Sequence, residues 1–161
     1  MYRRILVPVD GSHTSARGLE EAIRLAKDQR ARLRLVHVIE EYVVVQSGAL
    51  NGTAFYADDL IDLLRAEGKK IIAKASGLAR KAGVKADAAT FESLANRSSD
   101  CIIREAKKWH ADLIVMGTHG RRGVNRLVLG SDAEIVVRTS PVPVLLVRSP
   151  KRKVRREKKA V

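Results

Sequence analysis

Hydrophobic and polar positions change rhythm several times along the chain. Residues 3–9, RRILVPV, predict a short strand, and the polar DGSHTS after them predicts a turn. Leu19, Ala22, Ile23 and Ala26 then recur at helical spacing, with Glu20, Glu21, Arg24 and Lys27 on the other faces. Ser12 or Thr14 supplies the cap. LRLVHVI at 33–39 is a second strand, and 40–56 reads as a long loop in which apolar Tyr42–Val45 precedes SGALNGT. A long helix follows from Asp58 to Lys81, with Leu60, Leu64, Ile71, Ala75 and Leu78 on one stripe. Gly68 weakens its middle by up to ~1 kcal/mol relative to alanine. Gly83 is its stop, and VKADAATFE begins a third strand at Val84. Ser99–His110 predicts a helix with Ile102, Ile103 and Ala106 inward. ADLIVMG does not alternate, so it is a fourth strand buried on both faces. A glycine-rich loop covers 117–130, a short helix starts at Ser131, and VPVLLV is a fifth strand.

Strands alternating with helices predict an α/β fold: a single open five-stranded parallel sheet, Rossmann-like, with helices on both faces. Pro143 cannot donate a ladder hydrogen bond, so its strand belongs at an edge. That strand is apolar, and an exposed apolar edge invites pairing with another chain. The expectation is a homodimer through Val142–Val147, the alternative being a loop or the tail laid over that edge.

Composition narrows the class. With 161 residues, 45% hydrophobic and 30% charged, the chain has material for one core. No apolar run reaches the ~20 residues of a membrane span, and no apolar h-region precedes Asp10, which points to the cytoplasm. Cys101 is a lone cysteine, expected to be packing material, and Trp109 a core anchor. The net charge is +13, and about half of it sits in residues 151–161, KRKVRREKKAV. We therefore divide the chain into a domain, 1–149, and a basic, disordered tail, 150–161. The tail is either solvated or an arm that touches nucleic acid or an anionic surface through Lys151–Lys159.

Candidate chemistry lies at three strand ends, where ligands of open α/β sheets bind. Asp10 follows strand one in VPVDGS. Its carboxylate either accepts from ligand hydroxyls or helps hold a metal, or it makes an Asx-turn and caps the first helix. Strand four runs into MGTHGRRGVNRLVLGSDAE, where Gly117, Gly120 and Gly130 let the backbone approach a phosphate and adopt φ > 0. Gly130-Ser131 at a helix start aims N–H groups and the dipole's positive end at an anion, with Arg121, Arg122 and Arg126 nearby. No Walker loop occurs, and no G-x-G-x-x-G opens the first helix. The main chain near Val38, in LVHVI, offers a place for a planar base. The histidines, His13, His37, His110 and His119, lack metal-ligand spacing; His37 reads as a satisfied strand residue. No general base and no paired carboxylates face one site. One Trp, three Tyr and two Phe make no stacking platform for single-stranded nucleic acid.

VPVDGS, ADLIVMGTHG, the spacing G-x2-G-x9-G-S from Gly117 to Ser131, and PVPVLLV together resemble the universal stress protein family over about residues 2–148. The resemblance implies the strand order 3-2-1-4-5, a homodimer through strand five, and ATP binding by the glycine-bearing branch. By position it implies that Asp10 contacts the ribose, Pro8 and Val9 line the pocket, and Val38 lies beside adenine. Met116, Gly117, His119 and Gly120 would wrap the ribose and first phosphate, and Gly130, Ser131 and Asp132 would hold the outer phosphates. Asp132 departs from the family's small or apolar residue: it suits the helix dipole but repels a triphosphate unless Mg²⁺ or arginine intervenes. The implied function is a dimeric, cytoplasmic, ATP-dependent stress-response regulator with protein partners the sequence does not name. The alternatives are a slow ATPase or autophosphorylating enzyme, and an AMP or ADP sensor with a polyanion-binding tail.

Overall fold

Ile5, Leu6 and Val7 expose no surface on either side, and strand β1 (Arg4–Pro8) carries them through the middle of the molecule. Helix α1 (His13–Gln29) begins where the Ser12 hydroxyl accepts from the Ser15 N–H (3.1 Å), so Ser12 is the cap. It ends at Arg30, which takes the left-handed conformation (φ 56°). There follow β2 (Arg32–Glu40), α2 (Ala57–Lys81), β3 (Ala86–Ser93), α3 (Ser98–Lys108), β4 (Leu113–Gly117), α4 (Ser131–Thr139) and β5 (Val144–Val147). The computed structural model describes residues 1–40, 57–93, 97–120 and 129–148. The expected loop at 40–56 beyond Glu40, most of the glycine-rich loop and the basic tail lie outside these residues.

All pairings are parallel and the sheet order is β3-β2-β1-β4-β5. Alternate strand residues feed two cores. Ile5, Val7, Leu33, Leu35, Leu113 and Val115 meet Leu19, Ala22 and Ala26 of α1 and Ala75 and Ala79 of α2. Leu6, Val36, Ile114 and Met116 meet Ile102 and Ala106 of α3 and Ala133 and Val136 of α4. β4 contributes to both cores, which is why its sequence does not alternate. Cys101 is buried and Trp109 is half-buried against the second core. At the amino ends of the strands, the Asp112 carboxylate accepts the N–H groups of Arg3 (2.8 Å) and Arg4 (3.1 Å). The Tyr2 N–H donates to the Gln29 side chain at the same end.

Three expectations need correction. The inward stripe of α2 is Gly68, Ile71, Ile72, Ala75 and Ala79 rather than one running from Leu60 to Leu78, because Leu60 (44%) and Leu78 (41%) are exposed. Gly68 is no defect: a Cβ there would lie 2.8 Å from Cδ2 of His37, so glycine is what lets the helix reach the sheet. β3 also starts two residues late, at Ala86, because the Val84 N–H is still held by the Ala79 carbonyl (3.0 Å). β5 is the edge strand that Pro143 predicts, with the Pro143 carbonyl accepting from Ile114 (3.0 Å).

Candidate functional site

β1 and β4 are neighbours whose following connections lead to opposite sides of the sheet, which opens a crevice at their carboxyl ends. A cleft of about 550 Å³ occupies it. The structure brings Pro8, Val9, Asp10, Val38, Met116, Gly117, His119, Gly120, Gly130, Ser131 and Asp132 together in its lining.

Each arrives for a local reason. Asp10 does make the Asx-turn: its Oδ1 accepts from the Ser12 N–H (2.9 Å), while its own N–H donates to Ser15 Oγ (3.1 Å). Gly11 takes φ +81° to complete that turn. Asp10 also faces the loop after β4, since a Cβ on Gly120 would sit 2.9 Å from its Oδ2. That loop is held by Thr118, whose N–H donates to Val147 (3.1 Å) and whose carbonyl accepts from Gly130 (2.9 Å). Thr118 Oγ1 also hydrogen-bonds Nδ1 of His119 (2.9 Å). Nε2 of His119 is buried and has no partner among the described residues. A buried nitrogen of that kind is costly unless something polar fills the space beside it.

Gly117, Gly120 and Gly130 do not take the positive φ expected of them. Gly117 is needed by the fold: a Cβ would lie 2.8 Å from Thr14 C and 3.0 Å from Ser15 N in the backbone of α1. Gly130 caps α4 at φ −64°, a conformation open to any residue, and the closest atom to a Cβ there is the Thr118 carbonyl oxygen at 3.3 Å. Asp132 turns one oxygen toward α3, where Oδ1 accepts from the Ser99 N–H (3.2 Å), so it serves the starts of two helices. The first N–H groups of α4 have no acceptor within their own helix, and with Gly130 and Ser131 they form the anion-favouring end of the cleft. Arg121, Arg122 and Arg126 fall outside the described residues.

Other lining residues escape a sequence reading. Ser15, His37, Ile39, Glu40, Leu60, Leu64 and Ser98 all border the cleft. The Ser98 hydroxyl donates to Glu40 Oε1 (2.6 Å) and so joins β2 to α3. Only His37 carried a signal, a polar residue inside the apolar run LVHVI. His13 and His110 are exposed. Among the described residues no three His, Cys, Asp or Glu side chains gather as metal ligands, and no helix is long and apolar enough to cross a membrane.

Comparison with known proteins is consistent with this geometry. The model of the universal stress protein family matches residues 1–148. The chain is 37% identical over 152 residues to the universal stress protein YxiE of Bacillus subtilis, covering 92% of this chain and all of that one. It superposes on the structure of hypothetical protein MJ0577 with a TM-score of 0.78 at 25% identity, covering 94% of this chain and 99% of the other. It also shares the fold of the universal stress protein from Archaeoglobus fulgidus in complex with dAMP (TM-score 0.66, 23% identity, 91% and 98% covered).

Proposed function

The chain belongs to the universal stress protein family, and from that premise we propose that its cleft binds an adenosine nucleotide and that occupancy sets the state read by other proteins. One observation carries the reading. A carboxylate just past β1, the main chain of β2, a buried imidazole nitrogen with no partner among the described residues, and the start of α4 border a single cleft. Its volume of about 550 Å³ falls in the range of small-molecule sites. A protein of the same fold that holds dAMP supports the base and ribose end. ATP would extend this toward α4, where Mg²⁺ bound with the phosphates would offset the charge of Asp132. Regulation then works through unequal affinity for two conformations rather than through bond chemistry.

The test is direct. Purified protein, denatured by acid, is expected to release an adenosine nucleotide identifiable by chromatography. Asp10→Ala is expected to weaken ATP binding at least about tenfold, the worth of a hydrogen bond to a charged group. Protein that carries no nucleotide and shows no calorimetric response to AMP, ADP or ATP would reject the proposal.

The same family reading includes a homodimer through β5. Leu145 on that edge is 36% exposed, and Val137 on the adjoining α4 is 46% exposed. Leu145→Lys places charge in such an interface and is expected to yield monomers in sedimentation velocity. A dimer that survives the change unaltered puts the interface elsewhere.

A further inference from the structure

We infer that His37 is a positioning residue for the base end of the cleft, holding the Val9 carbonyl so that the Val38 main chain faces the ligand. The inference rests on the adenosine reading above.

Main-chain directions along β2 follow from the hydrogen bonds. Arg32 N–H donates to Arg3 of the β1 side (2.9 Å), and Val36 accepts from Val9 (2.8 Å), so even-numbered residues face β1. Leu33 N–H donates to Lys85 on the β3 side (2.9 Å), so odd-numbered residues face away. An extended ladder would next join the Val38 N–H to the Val9 carbonyl. The β1–β2 pairing ends instead at Pro8 and Val36, and the Val9 carbonyl lies 2.7 Å from Nδ1 of His37. A carbonyl only accepts, so Nδ1 carries the proton. The imidazole thus takes the rung that Val38 would have filled, at the point where Val38 joins the cleft lining.

Nothing about the ring's position is loose. His37 is 1% exposed, and α2 presses Gly68 against its other edge, where a Cβ would come within 2.8 Å of Cδ2 and 3.1 Å of Nε2. An N–H and a C=O from one stretch of main chain match adenine, whose amino group donates beside a ring nitrogen that accepts. Guanine presents the opposite order on that edge, so the device selects between bases without any side chain touching them.

The experiment titrates ATP and GTP, each with Mg²⁺, into the wild type, His37→Leu and His37→Asn. The asparagine amide places a donor close to where Nδ1 stood. We expect His37→Leu to lose about tenfold of the ATP-over-GTP preference, mainly through weaker ATP binding, and His37→Asn to regain most of it. A preference unchanged in His37→Leu overturns the inference while leaving the nucleotide site intact. A wild type that does not distinguish the two nucleotides removes the base-end reading beneath it. Should His37→Leu not fold, ¹⁵N spectra of the unaltered protein decide. A proton on Nδ1 of His37 supports the assignment, and its absence overturns it.

Discussion

Alanine at position 117 is expected to lower stability by ~3 kcal/mol, read as a fall of about 6–12 °C in Tm. The added methyl would lie 2.8 Å from Thr14 C, 2.9 Å from Thr14 O and 3.0 Å from Ser15 N. All three are backbone atoms in the first turn of α1, so no side-chain rotation relieves the contact. The approach is mutual, because a Cβ on Gly18 of α1 would meet Gly117 N at 3.1 Å and Met116 C at 3.2 Å. Relief requires α1 to lift from β4, which loosens Leu19 and Ala22 from the core they share with Val115. Gly77 is the control. Nothing lies within 4 Å of a Cβ there, so Gly77→Ala in α2 is expected to stabilise by up to ~1 kcal/mol. Equal urea midpoints for the two variants would refute the close seam between α1 and β4.

Arg34→Met is expected to cost ~3 kcal/mol, and for an opposite reason: it removes a partner rather than adding bulk. Glu105 of α3 has only 3% of its side chain exposed, and its Oε1 receives Nε (2.8 Å) and Nη2 (2.7 Å) of Arg34 on β2. Losing the guanidinium leaves a carboxylate in the second core with its main donor gone. Replacing both residues, as Arg34→Met with Glu105→Leu, is expected to recover most of the loss, since buried pairs exchanged for apolar groups are often neutral. The exposed pair Arg17–Glu20, with 45% and 57% of the side chains accessible, makes a useful contrast: its loss is expected to shift stability by under ~1 kcal/mol. A double variant no more stable than Arg34→Met alone would show that the cost lies in lost packing and not in the orphaned charge.

Much of the fold was legible because two of the inner strands carry unbroken apolar runs that are fully buried, as ILV of β1 and LIVMG of β4 show. The α2 stripe was misread for a physical reason. That helix is 25 residues long, and Leu60 and Leu64 near its start border the cleft rather than the core. Gly68 hid the true stripe, since a missing side chain leaves no apolar mark even where packing is tightest. The candidate site was legible in its positions more than in its reasons. Gly117 belongs to the seam with α1, and Asp132 reaches the Ser99 amide of a helix 33 positions earlier in the chain. Contacts of that separation have no local pattern to betray them. Glu40 and Ser98 were missed likewise, because only their hydrogen bond makes either one notable.

The two rims of the sheet are finished differently. Where the strands begin, Asp112 laces Arg3 and Arg4 to the turn before β4, and Gln29 fastens Tyr2. Where they end, β1 stops short of Val38, and an imidazole nitrogen is sealed from solvent without a mate among the described residues. On the nucleotide reading proposed above, the ligand would contribute the missing stitches at that upper rim, so capture of a guest and completion of the architecture would become one event.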